Sequence, residues 1–157
     1  MTLIEHQCCR VTVSMKRITV LLADDNGVVR REFRKILDHE DDLEVVGEAK
    51  NGRQAVAMVK KLRPALVLMD IAMPLLNGLQ ATRQILKAAA ATTKVLILSA
   101  HNDDAYVEEA TNSGAMGYLL KQTAADSVCS AIREVQKGNT FFSLSIPSRL
   151  HKRNRKK

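Results

Sequence analysis

No apolar run in the 157 residues approaches the ~18 needed to cross a bilayer, so the sequence offers no membrane span. The N-terminus lacks the charged-then-apolar layout of a signal peptide, which makes the cytoplasm the expected location. Cysteine is scarce: Cys8 and Cys9 are adjacent and Cys129 lies far off. An odd count without metal-type spacing argues against a disulfide framework and a zinc site, and fits free thiols in a reducing compartment. No glycine-rich phosphate loop follows the first apolar run, which weighs against a nucleotide-binding protein. There is no internal repeat, and no compositionally biased segment except a basic end.

That basic end dominates the formal charge of +7. Residues 149–157 carry six Lys or Arg and no acid, residues 1–17 carry +2, and residues 18–148 are left at −1. The body is near neutral and the basicity belongs to the ends. Such a tail can touch nucleic acid through salt-sensitive electrostatics. It has no aromatic residue for base stacking, so sequence-specific recognition has no support, and a linker remnant is the plainer reading. Composition is otherwise that of a globular protein, 46% apolar and 26% charged, with length for one domain.

Along the chain, five apolar runs alternate with five stretches of helical periodicity. Ile18 to Ala23 reads as a strand covered on both faces, followed by a helix with Val29, Phe33, Ile36 and Leu37 on one side. Leu43 to Ala49 is more polar, as suits an edge. Asn51 caps a helix that Pro64 closes. Ala65 to Met69 is wholly apolar and leads to Asp70, and after the Met73–Gly78 loop a helix runs to about Ala90. Val95 to Leu98 ends in Ser99. A weak helix over Asp103–Asn112 stops at Gly114, and Ala115 to Leu120 is a short strand ending in Lys121. Thr123 with Asp126 matches a capping box for a last helix that stops at Gly138. The pattern predicts a doubly wound, five-stranded parallel sheet of flavodoxin-like order 2-1-3-4-5, with the second and fifth strands at the edges. Residues 1–16 read as a flexible extension, 17–142 as the domain and 143–157 as a basic tail or linker.

Ligands of such sheets gather at the carboxyl ends of the strands. Asp24 and Asp25 follow the first strand and Asp70 the third, its expected neighbour. Two carboxylates ~5 Å apart repel by about 3 kcal/mol at an effective dielectric near 20, so the cluster needs a cation or a proton. Hard oxygen ligands suit Mg²⁺, with Mn²⁺ as the alternative. The plainer reading of Asp24 and Asp25 is that they cap the first helix. Ser99 supplies a hydroxyl and Lys121 an ammonium at the ends of the fourth and fifth strands. Metal, hydroxyl and ammonium around a carboxylate suit a phosphoryl group, with Asp70 as the nucleophile forming an acyl phosphate.

Together the acid pair Asp24-Asp25, the turn Asp70-Ile71-Ala72-Met73-Pro74 with Gly78, Ser99-Ala100 and Tyr118-Leu119-Leu120-Lys121 resemble the receiver domain of bacterial two-component response regulators. The stretch Ser113 to Gln122 and the ending Gly138 to Ser143 are similar to the NarL/FixJ (LuxR-type) branch. The resemblance implies a signalling domain rather than an enzyme. Asp70 would accept a phosphoryl group from a histidine kinase or phosphotransfer protein, and slow self-dephosphorylation would reverse it. Asp25, Asp70 and the Ala72 carbonyl would bind Mg²⁺ directly and Asp24 through water. Ser99 and Lys121 would contact the phosphoryl oxygens. Tyr118 would be the aromatic switch, changing the face of the fourth helix, fifth strand and fifth helix, with a homodimer as one outcome. The branch's DNA-binding output domain has no counterpart here: after Phe142, 15 residues remain, and Pro147 interrupts them. Gln122 also stands where many receivers outside this branch have proline, an expected modest change of loop geometry.

Other readings compete. An aspartyl-phosphate phosphatase of the haloacid dehalogenase type needs a second acid two residues past the nucleophile, where this chain has Ala72. A non-phosphorylated module of the same fold would commonly lack one of the acids, the hydroxyl or the lysine, and all are here. His101 beside the site could orient a water, with a solvated loop histidine as the plainer reading.

Overall fold

The computed structural model describes residues 16–88 and 92–143. Of the flexible extension expected over residues 1–16, residues 1–15 lie outside the described residues, as do residues 144–157 of the expected basic tail and residues 89–90 of the helix expected to reach Ala90.

The elements alternate as the periodicity demands: β1 (Ile18–Ala23), α1 (Gly27–Asp38), β2 (Leu43–Ala49), α2 (Gly52–Leu62), β3 (Leu66–Asp70), α3 (Gly78–Ala88), β4 (Lys94–Ser99), α4 (Asp104–Asn112), β5 (Gly117–Leu120), α5 (Ala124–Gln136) and β6 (Phe141–Phe142). All strand pairs are parallel, in the order β2-β1-β3-β4-β5-β6. Successive side chains along the central strands go to opposite faces. Leu21, Ala23, Val67, Met69, Val95 and Ile97 join one buried cluster with residues of α2, α3 and α4. Val20, Leu22, Leu66, Leu68, Leu96 and Leu98 join the other with residues of α1 and α5. This double burial is why β1, β3 and β4 read as unbroken apolar runs.

The sheet has six strands rather than the expected five, and β5 is therefore not an edge. Gly138, at φ 95°, turns the chain after α5, and Phe141 and Phe142 then pair with Gly117 and Tyr118. Beyond them Ser143 donates its backbone N–H to the Tyr118 carbonyl, and its Oγ accepts from the Leu120 N–H, which covers the outer side of β5. A two-residue strand has no period to show in sequence, which is why it was missed.

The helix ends follow local chemistry. Asn51 Oδ1 accepts from the Gln54 N–H at 2.9 Å, as its cap position requires. Arg63 ends α2 in a left-handed conformation, φ 46°, one residue before Pro64, whose ring disfavours a helical predecessor. The capping box expected of Thr123 and Asp126 is not formed: Thr123 precedes α5 with φ −119°, ψ −2°, and makes no side-chain cap bond. Its backbone is already near-helical, whereas capping oxygens serve from extended residues.

Candidate functional site: an acidic pocket at the carboxyl edge of the sheet

Three strands deliver the site. β1 pairs with β3 and β3 with β4, so Asp24, Asp70 and Ser99 emerge at one edge; Ser99 lies one residue past Leu98, the register partner of Asp70. Lys121 follows β5 and is tied down by its N–H donating to the Ser99 carbonyl at 2.8 Å. One carboxylate oxygen each from Asp24, Asp25 and Asp70 lie within 4.8 Å of one another. Asp24 and Asp70 are buried, at 4% exposure each, and Asp25 is exposed. Ala72, on the loop after β3, is exposed.

The first helix does not use these acids as its cap. Asn26 does, its Oδ1 accepting from the N–H groups of Val28 and Val29. Asp24 Oδ1 accepts from the Asn26 N–H at 2.9 Å, which fixes the turn and leaves Oδ2 facing Lys121. Lys121 Nζ lies 2.8 Å from that Oδ2 and 3.3 Å from Asp70 Oδ1. Asp24 Oδ2 is buried, and Lys121 is its ion-pair partner among the described residues.

One ammonium does not balance three carboxylates. Burial, then the repulsion of Asp24, pushes Asp70 up from 3.8 to about 6, against the pull of Lys121. Burial works against the Lys121 ammonium, yet Asp24 and Asp70 more than offset it and its pKa stands above the ordinary value. The pocket is short of positive charge. Three convergent carboxylates that share one ammonium, two of them buried, are the donor set of a hard divalent cation.

The loop after β3 is shaped by close backbone approach. Gly78 N–H donates to the Ile71 carbonyl at 2.8 Å, and a Cβ at Gly78 would collide with the backbone carbonyl of Asp70. Glycine is required for α3 to start so near the acid.

On the other side, Ser99 is buried at 1% exposure, and its Oγ accepts from the His101 N–H at 3.1 Å. Tyr118 is fully buried, and its hydroxyl donates to the His101 carbonyl at 2.6 Å. Burial raises the Tyr118 pKa, with the Ser99 hydroxyl beside it pulling the other way. Ser99 and Tyr118 thus meet through one residue. The His101 ring is exposed but not free: it stacks on Tyr106 of α4, centroids 4.9 Å apart and planes 17° apart.

The structure brings Asp24, Asp25, Asp70 and Lys121 together and links Ser99 and Tyr118 through His101. Two contributors were not foreseen. Asn26 forms the cap, and its position directly after two acids was the available signal. Arg30 donates from Nη1 to the Asp24 carbonyl at 2.7 Å and from Nε to Glu48 at 3.2 Å, bracing the turn that carries the acids. No periodic pattern announces a side chain that reaches back six residues.

A doubly wound sheet with an acidic pocket at its carboxyl edge, flanked by a hydroxyl and an ammonium, defines the class of flavodoxin-like signalling domains. The chain belongs to the response regulator receiver domain family, whose profile matches residues 20–133. It is 36% identical over 144 residues to the transcriptional regulatory protein DegU of Brevibacillus brevis, covering 92% of this chain and 61% of that protein. It is 35% identical over 140 residues to the response regulator protein VraR of Staphylococcus aureus, covering 89% of this chain and 66% of that protein. Among solved structures, the signal receiver domain of the response regulator NarL from Mycobacterium tuberculosis superposes with a TM-score of 0.75 at 31% identity, over 79% of this chain and 99% of that one. A LuxR-family two-component response regulator from Aurantimonas sp. SI85-9A1 gives 0.81 at 27% identity, over 90% and 100%. The similarity is thus to regulators of the NarL/LuxR type, and the chain spans about 60% of the DegU relative's length.

Proposed function

We propose that Asp70 is the phosphoacceptor of a two-component pathway and that the donor is a phosphohistidine of a histidine kinase or phosphotransfer protein. The observation that carries this reading is the convergence of Asp24, Asp25 and Asp70 on a single ammonium, Lys121. An Asp70 oxygen attacks phosphorus, the P–N bond breaks, and the leaving imidazole keeps the electron pair and takes up a proton. Asp25, Asp70 and the Ala72 carbonyl are assigned as direct ligands of Mg²⁺, with Asp24 acting through water; Mn²⁺ suits the same donors. When bound, the ion neutralises charge on the phosphoryl oxygens.

The remaining steps belong to the chain's own groups. Lys121 shifts from pairing with two acids to holding a phosphoryl oxygen. The Ser99 hydroxyl donates to another. That movement reaches the His101 segment and Tyr118, which share hydrogen bonds with it. A local charge then biases a two-state element on the face of α4, β5 and α5. The domain is a signalling module with slow self-dephosphorylation, assigned to residues 17–142 and to the cytoplasm. By analogy with DegU, a transcriptional regulatory protein, its output is control of transcription within a longer regulator, with homodimer formation on phosphorylation. The basic tail adds at most weak electrostatic contact with nucleic acid. The phosphatase reading is disfavoured because Ala72 holds the position of that chemistry's second acid.

Incubation with Mg²⁺ and a small phosphodonor is expected to add one acid-stable, base-labile phosphoryl group by intact mass, and Asp70→Asn is expected to lose it. Label retained in Asp70→Asn would remove Asp70 from the role assigned to it.

A further inference from the structure

The near-neutral charge of the body hides a segregation. Between Lys50 and Lys94 the chain carries eight Lys or Arg and a single acid, Asp70, which faces the pocket. The two helices of this stretch, α2 and α3, lie on the same face of the sheet and share one buried cluster. Their outer side presents Arg53, Lys60, Lys61, Arg63, Arg83 and Lys87, all exposed. None of the six makes an ion pair with a described residue, although Arg30, Arg34, Lys121, Arg133 and Lys137 all do.

Between these helices lies a cavity of about 320 Å³. The buried Val56, Val59 and Ile85 line it together with the exposed Lys60 and Arg63. That volume is at the lower end of small-ligand pockets, and suits an inserted side chain. Arg63 lines it from the C-terminal end of α2.

We propose that the α2–α3 face is a docking surface for an acidic protein segment that inserts one apolar side chain between the helices. Like-signed, unpaired cations around an apolar notch are complementary to glutamate- or aspartate-rich sequence with a single apolar anchor. Nucleic acid fits less well. Neither helix carries an aromatic residue for base stacking, and a phosphate backbone has nothing to place in the notch. None of Asp70, Ser99 and Tyr118 lines the notch.

The test is fluorescence anisotropy on the full chain with a labelled glutamate-rich peptide bearing one central leucine. The same peptide with glycine in that place, and a duplex DNA oligonucleotide, serve as comparison probes. The leucine peptide is expected to bind, and the glycine peptide to bind about tenfold more weakly. The double reversal Lys60→Glu with Arg63→Glu is expected to weaken the leucine peptide at least ~tenfold. Both positions are exposed, so thermal unfolding of the variant is expected to match wild type. Equal binding of the two peptides would overturn the role of the notch. Undiminished binding to the reversal variant would assign the peptide to the basic ends instead. Tighter DNA binding lost in the same variant would make this a nucleic-acid surface. The measurement does not involve Asp70, so it stands or falls apart from the phosphoryl-transfer reading.

Discussion

Two clusters of charge, at opposite ends of the strands, show what burial does to a carboxylate. At the carboxyl edge, Asp24, Asp25 and Asp70 share one ammonium, and two of the acids are almost wholly buried. Beyond the other end, where α5 meets the α1–β2 loop, Arg133 binds Asp42 through Nε and Nη2, both at 2.8 Å, and reaches Glu40 at 2.7 Å. There the side chains are 35–40% exposed and the guanidinium fork satisfies its acids in pairs. The pKa values diverge accordingly. Asp70 is pushed up to about 6, chiefly by burial, whereas the Arg133 hydrogen bond holds Asp42 below the usual 3.8. The first cluster is under-neutralised. The second is satisfied and ties two elements together.

The comparison breaks most sharply at Gly78. Because a Cβ there meets the Asp70 backbone, Gly78→Ala is expected to cost about 3 kcal/mol and to displace the acid. Urea unfolding measures the cost, and the phosphoryl label should disappear with it. A change confined to stability would detach the turn from the site.

The next largest effect is at Asp70, and its sign is opposite to that of Asp42. Asp70 has a folded pKa above its unfolded value. Its protonation favours folding below pH ~4, and that contribution is lost as pH rises through about 6. Asp70→Asn is therefore expected to stabilise the metal-free protein at pH 7, by about 2–3 kcal/mol. Asp42 works the other way: its contribution is present above the unfolded value and lost as pH falls through the lowered folded one. Asp42→Asn should leave stability above pH 5 almost unchanged in slope, with a cost below about 1 kcal/mol, since the pair is partly exposed.

Tyr118→Phe removes one buried hydroxyl and leaves the His101 carbonyl without that donor. A loss of about 1 kcal/mol is expected, with phosphoryl uptake at Asp70 retained. The smallest effect sharpens the contrast. Arg133→Ala should cost at most about 1 kcal/mol and leave phosphoryl uptake as in wild type, measured by intact mass. Loss of uptake there would mean that the two clusters communicate.

Most of the frame was legible in sequence because burial on both faces leaves unbroken apolar runs. β1 and β2 fall where the runs did, and Asp70, Ser99 and Lys121 stand at strand ends as a parallel sheet requires. Three things were hidden for physical reasons. Phe141 and Phe142 form a strand through pairing with β5 and not through their own pattern. Thr123 has a capping residue's composition but a helical backbone. The near-neutral body conceals a basic α2–α3 side, since net charge averages over faces that only the fold separates. The acids themselves were readable. That Lys121 pairs with Asp24 as well as Asp70 was not, because spacing along the chain carries no information about which oxygen an ammonium will meet.

Relief by Mg²⁺ of the repulsion among Asp24, Asp25 and Asp70 is tested by unfolding free energy against pH, with and without the ion, for wild type and Asp70→Asn. Wild type should lose stability as pH rises through about 6, Mg²⁺ should abolish that loss, and Asp70→Asn should show neither the loss nor most of the rescue. Parallel curves for the two proteins, equally indifferent to Mg²⁺, would contradict it.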